Sequence, residues 1–458
     1  MPTMKCNTEA SSVVWAVLLA VGLRVLFLSS ALHISGLKPI YAPDTHGYVA
    51  TVPALLHGSF ATSAGPDLQR TPGYPIFLLM TGMSLGHPLW PVFCQILLSG
   101  ICVYLVFLIG KLTLNNSKAA LIAAYLYAVE PLTLLYGIEL LTECLFTTLL
   151  LVFLLCMVLD QQKPAWRPLL LAALALVCTV YVRPASYYFP IFAATFLVVF
   201  PQQVAWKLRI QRAAVFLGLC VVLIGAWRVR NYLETGYFGF SSIADTNLYY
   251  FNAGEVLAQK QHIPFNDELG LLHWQDMAGY LSVHPEQRGW TQAQIFQYQK
   301  RTALHVIFAN KYLYAKDHLM GMLVVLLHPC ITDYMWFFGQ SPLSTATAIA
   351  WNPSNPARWM LLRSILRAHV FVVLFSVLLV LVLLLYYGFA LVGILRCQPR
   401  SRSFLLLFLT SFYFVFVAGG AAGMARYRYP VMPMICIFAG CGIFHLCKPC
   451  RLSHSSRE

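Results

Sequence analysis

Charge is what this sequence has least of. Only 10% of its 458 residues are charged, where a soluble domain carries roughly 25%, and 59% are hydrophobic. With a mean hydropathy of +0.68, water cannot be the main solvent of the folded chain. Signatures of several activities are missing too. There is no Walker loop, no dinucleotide fingerprint, no HExxH and no GxSxG, which removes support for ATP-driven transport and zinc proteolysis. No internal repeat stands out, which disfavours an inverted-repeat transporter. No lysine-rich run occurs, so nucleic acid is not an expected partner. The two longest polar loops, 33–72 and 230–318, hold none of the 13 cysteines, and disulfide stapling of those loops is excluded. The CKPC at Cys447 to Cys450 is a single pair and reads as structural or incidental.

What the chain does have is long apolar segments, many near the roughly 20 residues that cross a bilayer. Lys and Arg in short loops mark the cytoplasmic side. Placing Lys111 and Lys118, Lys163 and Arg167, Lys207 to Arg212, Arg396 to Arg402, and Lys448 to Arg457 inside predicts an all-α polytopic protein of about ten spans. They are 13–32, 88–111, 118–137, 139–159, 168–182, 184–201, 212–229, 367–395, 403–421 and 429–447. The first lacks a strong basic flank and a small-x-small site, so it reads as a retained anchor. Residues 1–458 then form one integral membrane domain with both termini cytoplasmic, a first outer loop over 33–87 and a large outer loop over 230–366. Segments 74–86 and 318–338 read as juxtamembrane or re-entrant, the second because Pro329 and Asp333 interrupt it.

This topology brings Asp44, Glu139, Glu143, Arg183, Arg228, Arg230, Arg426 and Arg428 to the outer face. Ionisable residues kept at span ends are functional candidates. A carboxylate above a membrane-edge cavity suits general-base work on a hydroxyl. Arginine matches phosphate oxygens with its planar fork and stays charged. Tyr74, Tyr249, Tyr250 and Trp290 suit sugar faces, and His46 and His57 flank the first-loop acid. An acid with arginines at a bilayer surface points to group transfer from a lipid phosphate, which leaves under electrostatic stabilisation.

The segment YAPDTHGYVATVPALLHGSF (41–60) followed by RTPGYPIFLL resembles the first outer loop of membrane glycosyltransferases of the GT-C superfamily. The resemblance is to the branch containing protein O-mannosyltransferases and the lipid A aminoarabinose transferase. EPLTLLYGIELLTECLFTTLLL (130–151), YVRPASYYFP (181–190), AWRVRNYLETGYFGFSS (226–242) and ARYRYPVMP (425–433) continue it in order along most of the chain. It implies a polyprenyl-phosphate sugar donor, a lipid, glycan or protein hydroxyl as acceptor, and action on the outer face of a membrane; the compact form makes a bacterial inner membrane the expected one. Asp44 matches the catalytic first-loop acid and Arg70 the basic position that helps hold the lipid phosphate. Glu143 matches an acid at the start of a core span that assists Asp44 or positions a divalent metal, with Asp44 and Glu143 as its ligands. Arg426 and Arg428 match phosphate partners. Many relatives carry two adjacent first-loop acids, whereas Thr45 follows Asp44 here. A lipid-linked sugar flippase without bond chemistry is the alternative. It requires ionisable residues along a path through the membrane rather than at one end.

Overall fold

The computed structural model describes residues 2–63, 65–200, 204–337, 370–396 and 401–447. The end of the 230–366 segment and Cys450 of the CKPC pair lie outside the described residues. The fold is all-α. Strand is confined, among the described residues, to a hairpin that pairs Ala61 with Pro66 and Thr62 with Gly65.

The bundle is built from α1 (Pro2–Ser35), α2 (Leu89–Leu114), α3 (Ser117–Ala128), α4 (Pro131–Tyr136), α5 (Glu143–Gln162) and α6 (Trp166–Val182). It continues with α7 (Phe189–Val199), α8 (Trp206–Thr235), α9 (Lys311–Leu327), α10 (Ile331–Phe337), α11 (Val370–Arg396), α12 (Arg402–Val417) and α13 (Met432–Leu446). Among the described residues, six helical segments are long and apolar enough to cross a membrane, and the protein is an integral membrane protein. Three shorter apolar helices, α6, α12 and the segment Pro184–Val199, cover further expected spans, and α9 with α10 forms a pair bent by 45°. That bend falls in the 318–338 stretch where Pro329 interrupts the apolar run.

Local chemistry sets the breaks. Asn115 takes a left-handed conformation at the end of α2, and Asn116 caps α3 by accepting from the backbone N–H of Lys118 and Ala119. The expected span 118–137 is split. Pro131 cannot continue a helix from upstream, and Glu130 caps the new start at α4 through Thr133 N–H at 2.7 Å. The last carbonyl of α3, Ala128 O, is left without a helical partner. Arg24, fully buried in α1, donates to it at 3.3 Å and to Thr133 Oγ1 at 3.0 Å.

Burial separates core from periphery. The Ala425–Leu446 segment and α5 are mostly buried, whereas α11 lies at the periphery with most of its apolar side chains uncovered by protein. Contact between α11 and α13 depends on glycine, because a Cβ on Gly393 or Gly442 would lie within 2.0 Å of the facing carbonyls of Phe438 and Phe389. A smaller layer of helices between residues 243 and 309 has its own core of Tyr249, Tyr250, Tyr280, Ile295 and Ala303. It includes a seven-residue π-helix, Asn247–Ala253. This layer is pinned to the first loop: Ser242 N–H donates to Leu68 O at 2.7 Å and Ser241 Oγ to Gln69 O.

Candidate active site

Asp44 stands at the entry to the short helix Thr45–Val49, yet its carboxylate makes no capping bond there. It is held from both sides instead. Thr45 is fully buried, its hydroxyl donating to Leu140 O at 3.0 Å and accepting from Ala42 N–H, while Leu140 N–H donates to Ile40 O at 2.8 Å. This sews the first loop to the connection between α4 and α5. Thr45, the residue after Asp44, is thus an anchor for this loop.

Arg70 reaches Asp44 from the other side. Asp67 Oδ1 accepts from the N–H groups of Gln69 and Arg70, and Thr71 donates to Val182 O at the end of α6. The Arg70 guanidinium covers the Tyr48 ring at 4.6 Å. It lies so close to Gly47 that a Cβ there would meet Nε at 2.7 Å. From this seat Arg70 Nη2 donates to Asp44 Oδ1 at 3.0 Å.

Two further elements complete the cluster. The 3-10 turn Ala425–Val431 presents Arg426, whose Nη2 donates to Asp44 Oδ2 and whose Nε lies 3.8 Å from Glu143 Oε1. Arg183, at the end of α6, donates to Glu143 Oε1 at 2.8 Å and stacks over Tyr427 at 4.8 Å. Asp44, Arg70, Glu143, Arg183 and Arg426 therefore form one chain of ion contacts, with Arg426 in the middle. The two guanidinium groups hold the Asp44 carboxyl well below the usual carboxylate range despite its burial. Burial opposes the positive charge on Arg70 and on Arg183. The acids beside them, with a tyrosine in each case, outweigh that cost and hold both guanidiniums charged.

A family model for dolichyl-phosphate-mannose-protein mannosyltransferase matches residues 70–227, a stretch that includes Arg70, Glu143 and Arg183. No curated protein matches the chain. Among solved structures, the oligosaccharyltransferase AglB of Archaeoglobus fulgidus, in complex with an inhibitory peptide and a dolichol-phosphate, matches with TM-score 0.53 at 14% identity. The match covers 96% of this chain and 50% of that one. This chain has the GT-C fold. Two other structures of the Archaeoglobus fulgidus oligosaccharyltransferase agree. The apo form matches at TM-score 0.51 and 14% identity over 96% of this chain and 50% of that one. The complex with Zn and sulfate matches at TM-score 0.51 and 16% identity over 93% and 48%. The chain thus spans about half the length of these GT-C structures.

Within this GT-C fold a divalent ion does not fit between Asp44 and Glu143. Oxygen ligands for such an ion must face an open position, and here the Arg426 guanidinium touches both acids. Among the described residues no three His, Cys, Asp or Glu side chains group to hold a metal.

The other expected site residues are placed elsewhere. Tyr74 is fully buried, and its hydroxyl donates to Gln95 Oε1, whose amide in turn donates to Glu139 O. Arg428, two residues from Arg426, points away and donates to Val325 O and Leu326 O at the end of α9. Arg228 lies over Phe238, and Arg230 bonds Glu234 and Phe60 O; neither touches the acids of the cluster. His57 is exposed on the first loop, and His46, also exposed, stacks on Tyr41 with ring centroids 6.4 Å apart. Two further acids stand beside the cluster: Glu139, one of the expected outer-face candidates, and Asp333, expected only as a break in an apolar run. Asp333 accepts from Tyr136 Oη at 2.8 Å. Glu139 is 5% exposed, and burial, reinforced by Asp333 and Glu143, raises its carboxyl well above the ordinary range. Their signal in the sequence was position alone: Asp333 interrupts an apolar run, and Glu139 lies four residues before Glu143.

Proposed function

We propose that this protein transfers a sugar from a polyprenyl-phosphate carrier to a hydroxyl on a lipid, glycan or protein, at the outer face of a bacterial inner membrane. The observation that carries the reading is the convergence of Arg70, Arg183 and Arg426 on Asp44 and Glu143 from separate parts of the chain. In direct ion contact are three guanidiniums and two carboxylates. The excess positive charge suits an anion, and a phosphate presents the oxygens that guanidinium forks bind best. The fold and the family match over 70–227 support glycosyl transfer as the chemistry.

In this reading Asp44 takes the proton of the acceptor hydroxyl as that oxygen attacks the anomeric carbon. The bond from that carbon to the phosphate oxygen breaks, and the electron pair leaves with the polyprenyl phosphate, whose charge the arginines stabilise. Glu143 acts one step removed, fixing Arg183 in place. The cytoplasmic placement of both termini and the outer position of 33–87 and 230–366 belong to the same proposal.

Flippase activity requires a polar path, and the ion contacts of α5 lie at its two ends rather than along its length. The deciding experiment incubates purified protein with a panel of polyprenyl-phosphate sugars together with lipid, glycan and peptide hydroxyl acceptors, and follows release of polyprenyl phosphate. Asp44→Ala should lower turnover about 10²- to 10⁴-fold, the range of a lost general base, with the protein still folded. Undiminished turnover in that variant would remove Asp44 from the chemistry, and a wild type without turnover on any donor would sink the reading.

A further inference from the structure

The cluster contains a conflict that the proposed function does not resolve. Both Asp44 oxygens accept from guanidinium groups, one from Arg70 and one from Arg426. A carboxylate held this way is a weak base, since taking a proton means giving up two charge-assisted bonds. The same guanidiniums are needed for the donor phosphate, so in the resting protein base and phosphate site are each occupied by the other. Arg426 also stands between the two acids where a bridging divalent ion would otherwise sit.

Resting on the donor reading above, we infer that Arg426 serves as a built-in cation in place of a divalent metal. It joins Asp44 to Glu143 in the resting protein and moves to the donor phosphate when the lipid binds, which frees Asp44 as the base. Three observations support the exchange. Arg426 is a side chain on a 3-10 turn with its Nε at 3.8 Å from Glu143, outside hydrogen-bonding range, and that buried nitrogen has no hydrogen-bond partner. Glu143 keeps a counter-ion throughout, because Arg183 donates to it at 2.8 Å whatever Arg426 does. Asp44 is 28% exposed while Glu143 is 1% exposed, so an incoming phosphate meets the Asp44 side of Arg426 first.

The exchange balances charge without a metal: one anion, the phosphate, takes the contacts another anion, Asp44, gives up. The proton that Asp44 then receives comes from the acceptor hydroxyl. The broken phosphate–carbon bond leaves its electron pair on the phosphate oxygen now facing Arg426. After the product departs, Asp44 loses its proton to water and recaptures the guanidinium.

The test uses full-length protein in lipid nanodiscs and decaprenyl phosphate without sugar as the probe. Binding is compared in excess EDTA and in millimolar Mg2+ or Mn2+, for wild type, Asp44→Asn and Arg426→Lys. Wild-type affinity should be the same with EDTA as with either metal. Asp44→Asn removes the competing anion and should bind the probe roughly tenfold tighter, as expected for one charge-assisted contact no longer exchanged. Arg426→Lys keeps a single charge and cannot span both anions, so it should bind more weakly than wild type, still without response to metal. Binding lost in EDTA and restored by Mg2+ or Mn2+ would overturn the inference and leave the donor reading standing. Weaker binding by a folded Asp44→Asn would overturn the exchange in the same way. No binding of decaprenyl phosphate by folded wild type under any of these conditions would remove the donor reading and this inference together.

Discussion

The two ends of α5 carry charge in opposite ways. Near its C-terminus Asp160 pairs with Arg212 of α8, and their side chains are 0% and 4% exposed. Asp160 also accepts from Ala165 N–H at 3.2 Å, and Arg212 donates to Ala165 O and covers the Trp166 ring at 5.4 Å. Both side chains of this pair are shut away from water. At the N-terminus, about 25 Å away by helical rise, Glu143 belongs to a group in which Arg426 is shared between two acids. Arg70, Asp44, Arg183 and Arg426 there are 16% to 28% exposed. A fully buried ion pair between two helices holds them together and is out of a ligand's reach. Charge that is left uneven and partly open at a cost in stability is what a binding site needs. The same helix thus ends in a staple on one side and a site on the other.

The largest expected effect breaks the staple. Arg212→Ala removes the guanidinium paired with the buried Asp160, which should cost about 3–5 kcal/mol of stability and lower the thermal unfolding temperature in detergent. Joint replacement by Arg212→Met and Asp160→Leu should recover most of that loss. Asp44→Ala should behave differently, because water reaches the arginines it abandons: turnover falls steeply while the unfolding temperature drops less than in Arg212→Ala. If both single variants unfold the protein equally, the distinction between the two ends is wrong.

A smaller effect sharpens the contrast within one turn. Arg428 is buried and serves the carbonyls at the end of α9, so Arg428→Ala should cost about 1–3 kcal/mol by leaving those groups unsatisfied. Turnover per folded molecule should hold. Arg426→Ala should do the reverse. Unfolding curves and turnover measured on the same preparations separate the two, and a matching loss of turnover in Arg428→Ala would return it to the site.

The difference between Arg426 and Arg428 also marks where the sequence stopped being readable. Apolar length and basic loops carried most of the helices, since a 20-residue apolar run has few other solutions in a membrane. The cluster was visible because acids and arginines at span ends are rare enough to count. In ARYRYP, however, spacing alone does not assign a side. In a 3-10 turn two residues apart point about 240° apart around the axis, and only packing decides which arginine faces Asp44. Tyr74 illustrates the same limit: an aromatic beside a turn looks like a sugar platform until its hydroxyl is seen bonded to Gln95 inside the core. The split at Glu130 was legible in principle, since Glu-Pro before a helical run is a cap and a first-turn proline. Arg24 had no such signal, as its partners lie more than 100 residues away at the end of α3 and in α4.

The smallest effect probes the acid that the cluster leaves without an arginine of its own. Glu139 sits between α4 and α5, and burial together with the Asp333 and Glu143 charges raises its carboxyl well above the ordinary glutamate range. An acid whose folded value is raised holds its proton better in the folded state than in the unfolded one. Its contribution is therefore fully present below the unfolded value of about 4.3 and is lost as pH rises toward the folded value. Asp44 has the opposite sign: its folded value is lowered, so its contribution is present at neutral pH and is lost only as pH falls below the usual carboxylate range. Glu139→Gln keeps the shape of the neutral acid and removes the titration. The variant should match wild type in unfolding temperature at pH 4.5 and exceed it at pH 8. Asp44→Asn should show no such gain from titration between those pH values. Equal slopes for wild type and Glu139→Gln across that range would mean that Glu139 is ionised beside Glu143, and the negative charge at this end of α5 would then nearly balance its arginines.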